Sequence, residues 1–345
     1  MPTPSQARRR ATILLPAMLL AGFVMSPTAQ PAEGPPTIVR LDPRLDALLP
    51  QSTVIEKLAD GFAWAEGPVW DRANKVLLFS DIPNNVIERW KEGAGISDFL
   101  RPSGYSGSAP FTGREPGSNG LTFDSKGRLV LCQHGDRRIA RLDAPGRLTS
   151  VADKFEGKRL NSPNDLVFKS NGDLYFTDPA YGLPKTFDDP ARELPFTGVY
   201  RVKPDGSITL LTKELKAPNG LGFSPDEKTL YVAQSWPEEA IITAYPVKDD
   251  GTIGPGKVVI DETSEVKAGK PGLPDGMKVD VDGRLWATGP GGVWIILPDG
   301  TPLGRIDTGV PTANVAWGGE DGSVLYITAN KGLLRVKTGT KGKMP

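Results

Sequence analysis

The chain has very little cysteine or histidine: among its 345 residues, Cys132 is the only cysteine and His134 the only histidine. A single cysteine excludes an internal disulfide, and the pair cannot supply the Cys/His cluster of a structural zinc site. The formal net charge is zero, with no block of like charge after the first few residues, so nucleic acid is not an expected partner. Long helices are not expected either, because 3.6-residue apolar periodicity is lacking and 40 Gly and 33 Pro interrupt the chain.

The N-terminus differs in kind from the rest of the chain. Arg8-Arg9-Arg10 precedes an apolar run from Ala11 to Met25, and a Pro/Ala-rich stretch continues through Ala32. This order is typical of a secretory signal peptide, whereas the run is short for a membrane span. We therefore predict a signal peptide at 1–32, with no fixed cleavage position, and export to the periplasm or out of the cell. No stable membrane insertion is expected after cleavage, and an uncleaved membrane anchor is the alternative.

A short motif recurs along the remaining chain, with an Asn or Asp followed by a small or acidic residue and then an apolar strand. Its copies are Ser118-Asn119-Gly120-Leu121, Pro163-Asn164-Asp165-Leu166, Pro218-Asn219-Gly220-Leu221 and Pro274-Asp275-Gly276-Met277. Related copies around Glu66 and Asn314 open and close the series. We call the polar position shared by all six copies the motif residue. A spacing of roughly 40 to 55 residues is typical of propellers or arrays, and six copies predict six blades.

A turn and a strand follow each copy at a nearly fixed offset, as in Lys169-Ser170-Asn171-Gly172-Asp173-Leu174-Tyr175-Phe176. Asn-Gly, Lys-Gly and Asp-Gly suit tight hairpin turns, and the flanking apolar residues suit a pleated surface. With further short strands after each hairpin, the sequence predicts an all-β fold: a six-bladed β-propeller of four-stranded antiparallel blades. We place this single domain at 52–340, after an N-terminal extension at 33–51. A strand near Ser52 to Lys57 is expected to complete the final blade and close the ring.

This set of motifs resembles the gluconolactonase and regucalcin (senescence marker protein) family of six-bladed propellers, over a region from about Val54 to Val336. More distantly, it is similar to diisopropyl fluorophosphatase and the paraoxonases. The resemblance implies one metal ion, usually calcium, at the mouth of the central channel. Position by position, the implied ligands are Glu66, Asn164, Asn219 and Asp275.

The chemistry of this set is consistent with a hard divalent cation. Two carboxylates and two amide oxygens offset the charge of such an ion and leave room for water, which favours Ca²⁺. Mg²⁺, Mn²⁺ or Zn²⁺ could substitute, although the lack of a Cys/His cluster argues against zinc as the native ion. The competing interpretation is that an Asn or Asp before Gly only forms a turn. Glu66 is poorly explained in that way.

Four further residues are candidates for substrate contact. Asn119 carries the motif in the second blade and could face the substrate or simply build the blade. Asp165 follows Asn164 and could either support that ligand or contact the substrate. The long irregular segment 101–115 could lie across the channel mouth as a lid that presents Tyr105 or Arg114. A simple connector is the alternative for that segment.

The leading functional hypothesis is calcium-dependent hydrolysis of a small lactone, of the gluconolactone type, with Asp275 as the general base. His134 is the rival base, and it could equally be a structural histidine between blades. An organophosphate or aryl-ester hydrolase with the same metal is a second enzymatic hypothesis. A non-catalytic, calcium-stabilised binding propeller is the third, because a propeller does not by itself establish catalysis. The predicted partner is a small-molecule substrate, and the sequence leaves the oligomeric state open.

Overall fold

Short strands joined by tight turns form six antiparallel blades around a central channel, each built on four strands as the sequence predicts. The computed structural model describes residues 34–345. The strands of the first three blades, from the channel outwards, are Ala65–Asp71, Val76–Asp81, Val86–Lys91 and Gly95–Leu100; Ser118–Phe123, Leu129–Gln133, Arg138–Ala144 and Arg147–Ala152; and Leu166–Phe168, Leu174–Asp178, Gly198–Val202 and Ile208–Thr212.

The last three blades follow the same order. Their strands are Pro218–Phe223, Thr229–Gln234, Ile241–Pro246 and Lys257–Asp261; Met277–Val279, Leu285–Gly289, Gly292–Ile296 and Pro302–Asp307; and Thr312–Gly318, Val324–Ala329, Gly332–Lys337 and Ile55–Asp60. A small hairpin, Lys154–Phe155 with Lys158–Arg159, lies between blades 2 and 3. The helices of residues 34–345 are an α-helix at Thr263–Lys267 and 3-10 turns at Pro43–Ala47 and Thr186–Asp188.

The hairpins form where the turn residues predict them. In blade 3, the Lys169 N–H donates to the carbonyl of Asp173, and Gly172 occupies the positive-φ position of the turn at +89°. A glycine meets that requirement without the steric cost of a Cβ atom. The Asn-Gly signal in the sequence therefore identifies the connection between the first two strands of this blade.

The apolar core is divided into six clusters, one between each pair of neighbouring blades. Between blades 5 and 6, for example, Trp286 and Trp317 are almost fully buried and meet edge to face, with ring centroids 5.2 Å apart. Burial of large side chains at every blade interface is the main favourable term in folding such a sheet ring. It also fixes each blade relative to the channel that the innermost strands surround.

The ring closes between the two ends of the propeller sequence. Ile55–Asp60 pairs antiparallel with Gly332–Lys337, with Ile55 opposite Val336 and Asp60 opposite Gly332. The strand that begins the propeller is thus the outermost strand of the final blade, which confirms the predicted closure. This pairing covers the edge that Gly332–Lys337 would otherwise expose.

The segment at 33–51, expected from the sequence to be an extension, contributes to the propeller. Thr37–Arg40 pairs with Pro302–Asp307 and gives blade 5 a fifth strand. Leu45 and Leu49 are fully buried in the core between blades 5 and 6. The described part of the chain, Gly34–Pro345, is one compact unit.

The predicted signal peptide lies outside the described residues. From residue 34 onwards, the protein has no helix that is both long and apolar enough to cross a membrane. Export therefore remains a prediction from the sequence.

One buried carboxyl predicts how stability depends on pH. Glu262 is 2% exposed, and neither of its carboxyl oxygens has a hydrogen-bond partner among residues 34–345. Burial, followed by the charges of Glu265 and Asp261, raises the pKa of Glu262 to about 8. Between the usual glutamate pKa and pH 8, the folded state therefore holds a proton that the unfolded state has lost, and stability falls as pH rises through this window.

Glu262→Gln should remove this dependence, because the amide has nearly the same shape and does not ionise. We expect the thermal midpoint of the variant, relative to that of the parent chain, to rise as the pH increases from about 5 to 9. Thermal unfolding across this range measures the difference between the two proteins. A constant difference would show that Glu262 is ionised in the folded state.

Candidate metal and substrate site

The motif residues line the mouth of the channel because the innermost strands are irregular at these positions. The pairing of the first and second strands shifts register between Glu66 and Val69, between Ser118 and Leu121, and between Pro218 and Leu221. A bulge of this kind re-aims the side chain at which it occurs. In these three blades the motif therefore redirects one polar side chain and does not form the hairpin turn that its Asn-Gly composition also suggested.

The glycine that follows the motif residue allows neighbouring blades to approach closely at the channel. A Cβ atom on Gly67 would lie 2.1 Å from the carbonyl oxygen of Asn119, and one on Gly220 would lie 2.2 Å from that of Asp275. A Cβ atom on Gly120 would likewise lie 2.7 Å from the carbonyl oxygen of Asn164, and one on Gly276 would meet the side chain of Asn314, the motif residue of blade 6. Each of these glycines thus touches the motif residue of the next blade, which brings the polar side chains into one ring.

Gly220→Ala should disrupt this ring. The added methyl would come 2.2 Å from Asp275 O and 2.7 Å from the Cα of Gly276, both of them backbone atoms that cannot swing aside. We expect a loss of about 2–3 kcal/mol in the free energy of unfolding, as in other overpacked cores, and a displaced Asp275. Chemical denaturation measures the loss.

Gly222→Ala is the matched control for this substitution. It lies two residues further along the same strand, and its added methyl would meet only side-chain atoms, the nearest at 3.5 Å. Equal stability of the two variants would contradict the close-approach argument.

In blades 1 and 3, an aspartate at the end of the second strand forms hydrogen bonds with the loop that precedes the motif residue. The Asp81 carboxylate accepts the backbone N–H groups of Ala63 and Trp64, just before Glu66. In blade 3, the Asp178 carboxylate accepts those of Asn161 and Ser162 at 2.8 and 2.9 Å, just before Asn164. Asp178 therefore ties down the loop that positions a proposed ligand.

Glu66 is buried at the channel and is oriented by the sixth blade. Its Oε1 accepts a hydrogen bond of 2.8 Å from the side-chain amide of Asn314 and one of 2.9 Å from the Gly67 N–H. Asn314 also donates to Asp165 Oδ2 at 3.3 Å. One amide therefore bridges two carboxylates from different blades, which gives Asn314 an orienting role.

The structure brings the other three predicted ligands to the same ring. Asn164 is 3% exposed, and its backbone carbonyl accepts the Gly120 N–H of the preceding blade. Asn219 is 5% exposed, and its amide donates to Ser235 Oγ at 2.8 Å. Asp275 is half-buried and lies close enough to Glu66 and Asp165 for the charges to repel.

Three carboxylates thus share a confined, poorly hydrated space. Burial raises the pKa of Glu66 to about 7, although hydrogen bonds from Gly67 and Asn314 favour the ionised form. Burial also raises the pKa of Asp165, and enclosure together with repulsion from Glu66 and Asp165 raises that of Asp275 well above its usual range. Carboxylates held together at this cost are typical of a functional site, and a cation between them would offset the repulsion.

His134 directly follows Leu129–Gln133, the second strand of blade 2, and its ring is completely buried. Its Nε2 is 3.3 Å from the side-chain amide of Asn119, and its Nδ1 is 2.9 Å from Glu115 Oε2. That second contact has the distance of an ion pair, but the oxygen lies out of line with the N–H bond. Both ring nitrogens therefore face protein groups, an arrangement suited to orienting Asn119.

The predicted lid, 101–115, is held down on the blades. The Asn85 side chain accepts the backbone N–H of Gly104 at 2.7 Å and donates to the carbonyl of Tyr105 at 2.9 Å. The Tyr105 ring packs against Phe111, with centroids 5.1 Å apart, and Arg114 is exposed. Among the side chains of this segment, Glu115 is the one that reaches the site, through His134 and through repulsion of Asp275.

Sequence reasoning missed three contributors to the site besides Glu115. The repeat assigns no defined role to Asn314, and the motifs do not include Lys278 or Tyr181. The Lys278 ammonium donates to Asn314 Oδ1 at 3.4 Å, and the Tyr181 hydroxyl donates to the carbonyl of Ser235 at 3.0 Å. A charged lysine in an innermost strand was the available signal for Lys278. Tyr181 lies in an irregular loop and offered none.

The donor set fits a hard cation by its chemistry. It combines two carboxylates with two amides, and no group of three or more His, Cys, Asp or Glu side chains in residues 34–345 is arranged to hold a metal by itself. Asn119 Oδ1 is buried without a hydrogen-bond partner beside this set. An unpaired buried acceptor is costly and indicates that a polar ligand belongs there. The fold and these residues define a six-bladed propeller with a polar, acidic centre at the mouth of its channel.

Comparisons with a family model and with known proteins place the chain in the same family. A family model described as the SMP-30/Gluconolactonase/LRE-like region matches residues 64–331. The gluconolactonase of Zymomonas mobilis is 42% identical over 310 residues, covering 88% of this chain and 87% of that protein. A pentonolactonase of Haloferax volcanii is 32% identical over 274 residues, covering 77% and 81%. The chain belongs to the SMP-30/gluconolactonase/LRE-like family, and it is a lactonase.

Solved structures agree with the fold. A gluconolactonase from Xanthomonas campestris superposes with a TM-score of 0.75 at 32% identity, covering 89% of this chain and 98% of that one. Regucalcin from Agrobacterium tumefaciens, described as calcium-binding, superposes with a TM-score of 0.67 at 21% identity, covering 85% and 96%. The second likeness supports the architecture alone.

Proposed function

We propose that the chain hydrolyses a small sugar lactone with the help of one divalent ion, calcium, held by Glu66, Asn164, Asn219 and Asp275. The observation that carries the proposal is the ring of oxygen-bearing motif residues, in which buried carboxylates repel one another at the channel mouth. The relatives named gluconolactonase and pentonolactonase support sugar lactones as the substrate class.

The ion would supply Lewis-acid polarisation of the lactone carbonyl and stabilisation of the negative charge on its oxygen. The chain itself would orient the substrate and move the proton. Asp275 is less buried than Glu66 and Asp165, and we assign it the role of accepting a proton from the attacking water. Asn119 Oδ1, buried and unpaired, is suited to accept a hydrogen bond from a sugar hydroxyl.

Two neighbouring groups are less suited to act as the base. Burial and the charge of Asp275 raise the pKa of Tyr181, so its hydroxyl stays protonated and donates to Ser235. His134 is fully buried, with its ring nitrogens directed at Asn119 and Glu115. These contacts favour Asp275 as the base.

A substrate panel assayed with and without a chelator tests the proposal. It contains glucono- and pentonolactones, aliphatic lactones, aryl esters and phosphotriesters. We expect turnover of the sugar lactones to exceed that of the other classes, to disappear on complete metal removal and to return with Ca²⁺. Preference for phosphotriesters or aryl esters would overturn the substrate class, and undiminished turnover of the metal-free protein would overturn the role of the ion.

We also propose export through the signal peptide at 1–32. Cleavage after Ala29, or a few residues later, would leave every propeller strand intact, because the first of them begins at Thr37. N-terminal sequencing of the protein recovered from the periplasm or medium should therefore find a start between residues 30 and 36. Intact Met1 on protein from the soluble cytoplasmic fraction would contradict this proposal.

A further inference from the structure

Lys278 places a positive charge beside the carboxylates of the site. It belongs to the innermost strand of blade 5, Met277–Val279, and its ammonium donates to the carbonyl of Met277 at 3.0 Å and to Asn314 Oδ1 at 3.4 Å. The same Asn314 side chain donates to Glu66 and Asp165. Because these residues come from blades 5, 6, 1 and 3, the channel is the place where they meet.

The charges in this cluster nearly balance once a divalent ion is added. Glu66, Asp165 and Asp275 provide three carboxylates, and the Asn314 amide links Lys278 to two of them, Glu66 and Asp165. One lysine and one divalent ion supply three positive charges against these three. Glu115 adds a fourth carboxylate at the edge of this cluster: it is one-third exposed, contacts His134 and also repels Asp275. Buried charges are tolerated where they are compensated.

Lys278 provides its charge without occupying the carboxylate oxygens. It forms no direct salt bridge within the described residues, and the Asn314 amide lies between it and Glu66. The carboxylates therefore keep free oxygen lone pairs for an ion. A lysine paired directly with Glu66 would have competed with the metal for those oxygens.

We propose that Lys278 determines the charge selectivity of the metal site. Its fixed positive charge makes a divalent ion sufficient for neutrality and disfavours a trivalent ion of similar size. The repulsion between the ammonium and a bound ion grows in proportion to the charge of the ion, so a trivalent ion is penalised more than Ca²⁺. This inference rests on the proposed function, because it assumes the calcium site.

Calorimetric titration of the metal-free full-length protein with Ca²⁺ and with Tb³⁺ tests the inference. Lys278→Met removes the charge and keeps most of the side-chain length, whereas Lys278→Arg keeps the charge. We expect Lys278→Met to raise the affinity for Tb³⁺ relative to that for Ca²⁺ on the order of tenfold or more. Lys278→Arg should keep the parent ratio.

Lys257→Met controls for the change in net charge alone. Lys257 is exposed on the outermost strand of blade 4, remote from the channel, and its loss should leave the ratio unchanged. If Lys278→Met does not fold, Lys278→Gln removes the same charge and retains a hydrogen-bond donor for Asn314. Thermal unfolding without metal identifies which variants are folded.

The outcomes separate this inference from the metal site itself. A higher Tb³⁺ to Ca²⁺ ratio in a folded, charge-free variant, but not in Lys278→Arg or Lys257→Met, would support it. An unchanged ratio in a folded variant that still binds Ca²⁺ would overturn it and would mean that Lys278 only supports the fold. Failure of the parent protein to bind either ion would instead overturn the proposed calcium site.

Discussion

Combining Glu66→Gln with Asn219→Ala should abolish stoichiometric metal binding and lower lactone turnover by about a thousandfold or more. The pair removes the charge of one of the two carboxylate ligands and the whole side-chain donor of one of the two amide ligands of the proposed set. Hard cations depend on several oxygen donors at once, and Lewis-acid stabilisation of the transition state is worth several kcal/mol. Metal content by elemental analysis and kcat/KM for a sugar lactone measure the two effects.

The fold of this double variant needs its own control, because the Asn219 amide also bonds Ser235. Asn119→Ala truncates the motif residue of blade 2, which is outside the proposed ligand set. It should retain the ion and mainly raise KM. Full metal content in the double variant would remove the site assignment, whereas metal loss in Asn119→Ala would enlarge the ligand set.

Asp275→Asn, assayed at saturating calcium, should lower kcat on the order of a hundredfold or more. The substitution keeps an oxygen donor and nearly the same volume, and it removes the negative charge and most of the basicity. Because a weaker ligand set also lowers occupancy, the calcium concentration must be raised until the rate no longer changes. Steady-state kinetics across pH then separate the proton transfer from metal binding.

His134→Gln provides the comparison for the base assignment. If His134 positions Asn119 through its Nε2 contact, the variant should raise KM and keep the shape of the pH profile. The rival hypothesis predicts the reverse. Loss of the pH dependence and most of the rate in His134→Gln, with near-normal turnover in metal-saturated Asp275→Asn, would make the histidine the base.

The fold was predictable from the sequence because the repeat is local. Each motif and its hairpin lie within one blade, so a copy such as Asn219-Gly220 with the strand after it identifies the blade without knowledge of its neighbours. The fifth strand of blade 5 could not be found in this way. Thr37–Arg40 is four residues long, belongs to no repeat and pairs with a strand far along the chain.

The site was only partly predictable for a related reason. The four proposed ligands follow from equivalent positions in the repeat. The hydrogen bonds from Asn314 to Glu66 and Asp165 join three blades, and no spacing within one motif encodes them. The contact of Glu115 with His134 likewise depends on the path of an irregular loop. These contacts between residues of different blades form only when the ring is closed, so the sequence of one repeat does not reveal them.

Closure of the ring by its first and last strands has a consequence for the order of assembly during synthesis. Ile55–Asp60 leaves the ribosome early and finds its partner only when Gly332–Lys337 has been made. Pairing between such distant segments is slow, and until then an unpaired edge remains. Because the proposed ligands are spread over blades 1, 3, 4 and 5, an open ring would hold them apart. Binding of the proposed ion would then require the finished chain, because a chain that ends before Gly332–Lys337 cannot close the ring.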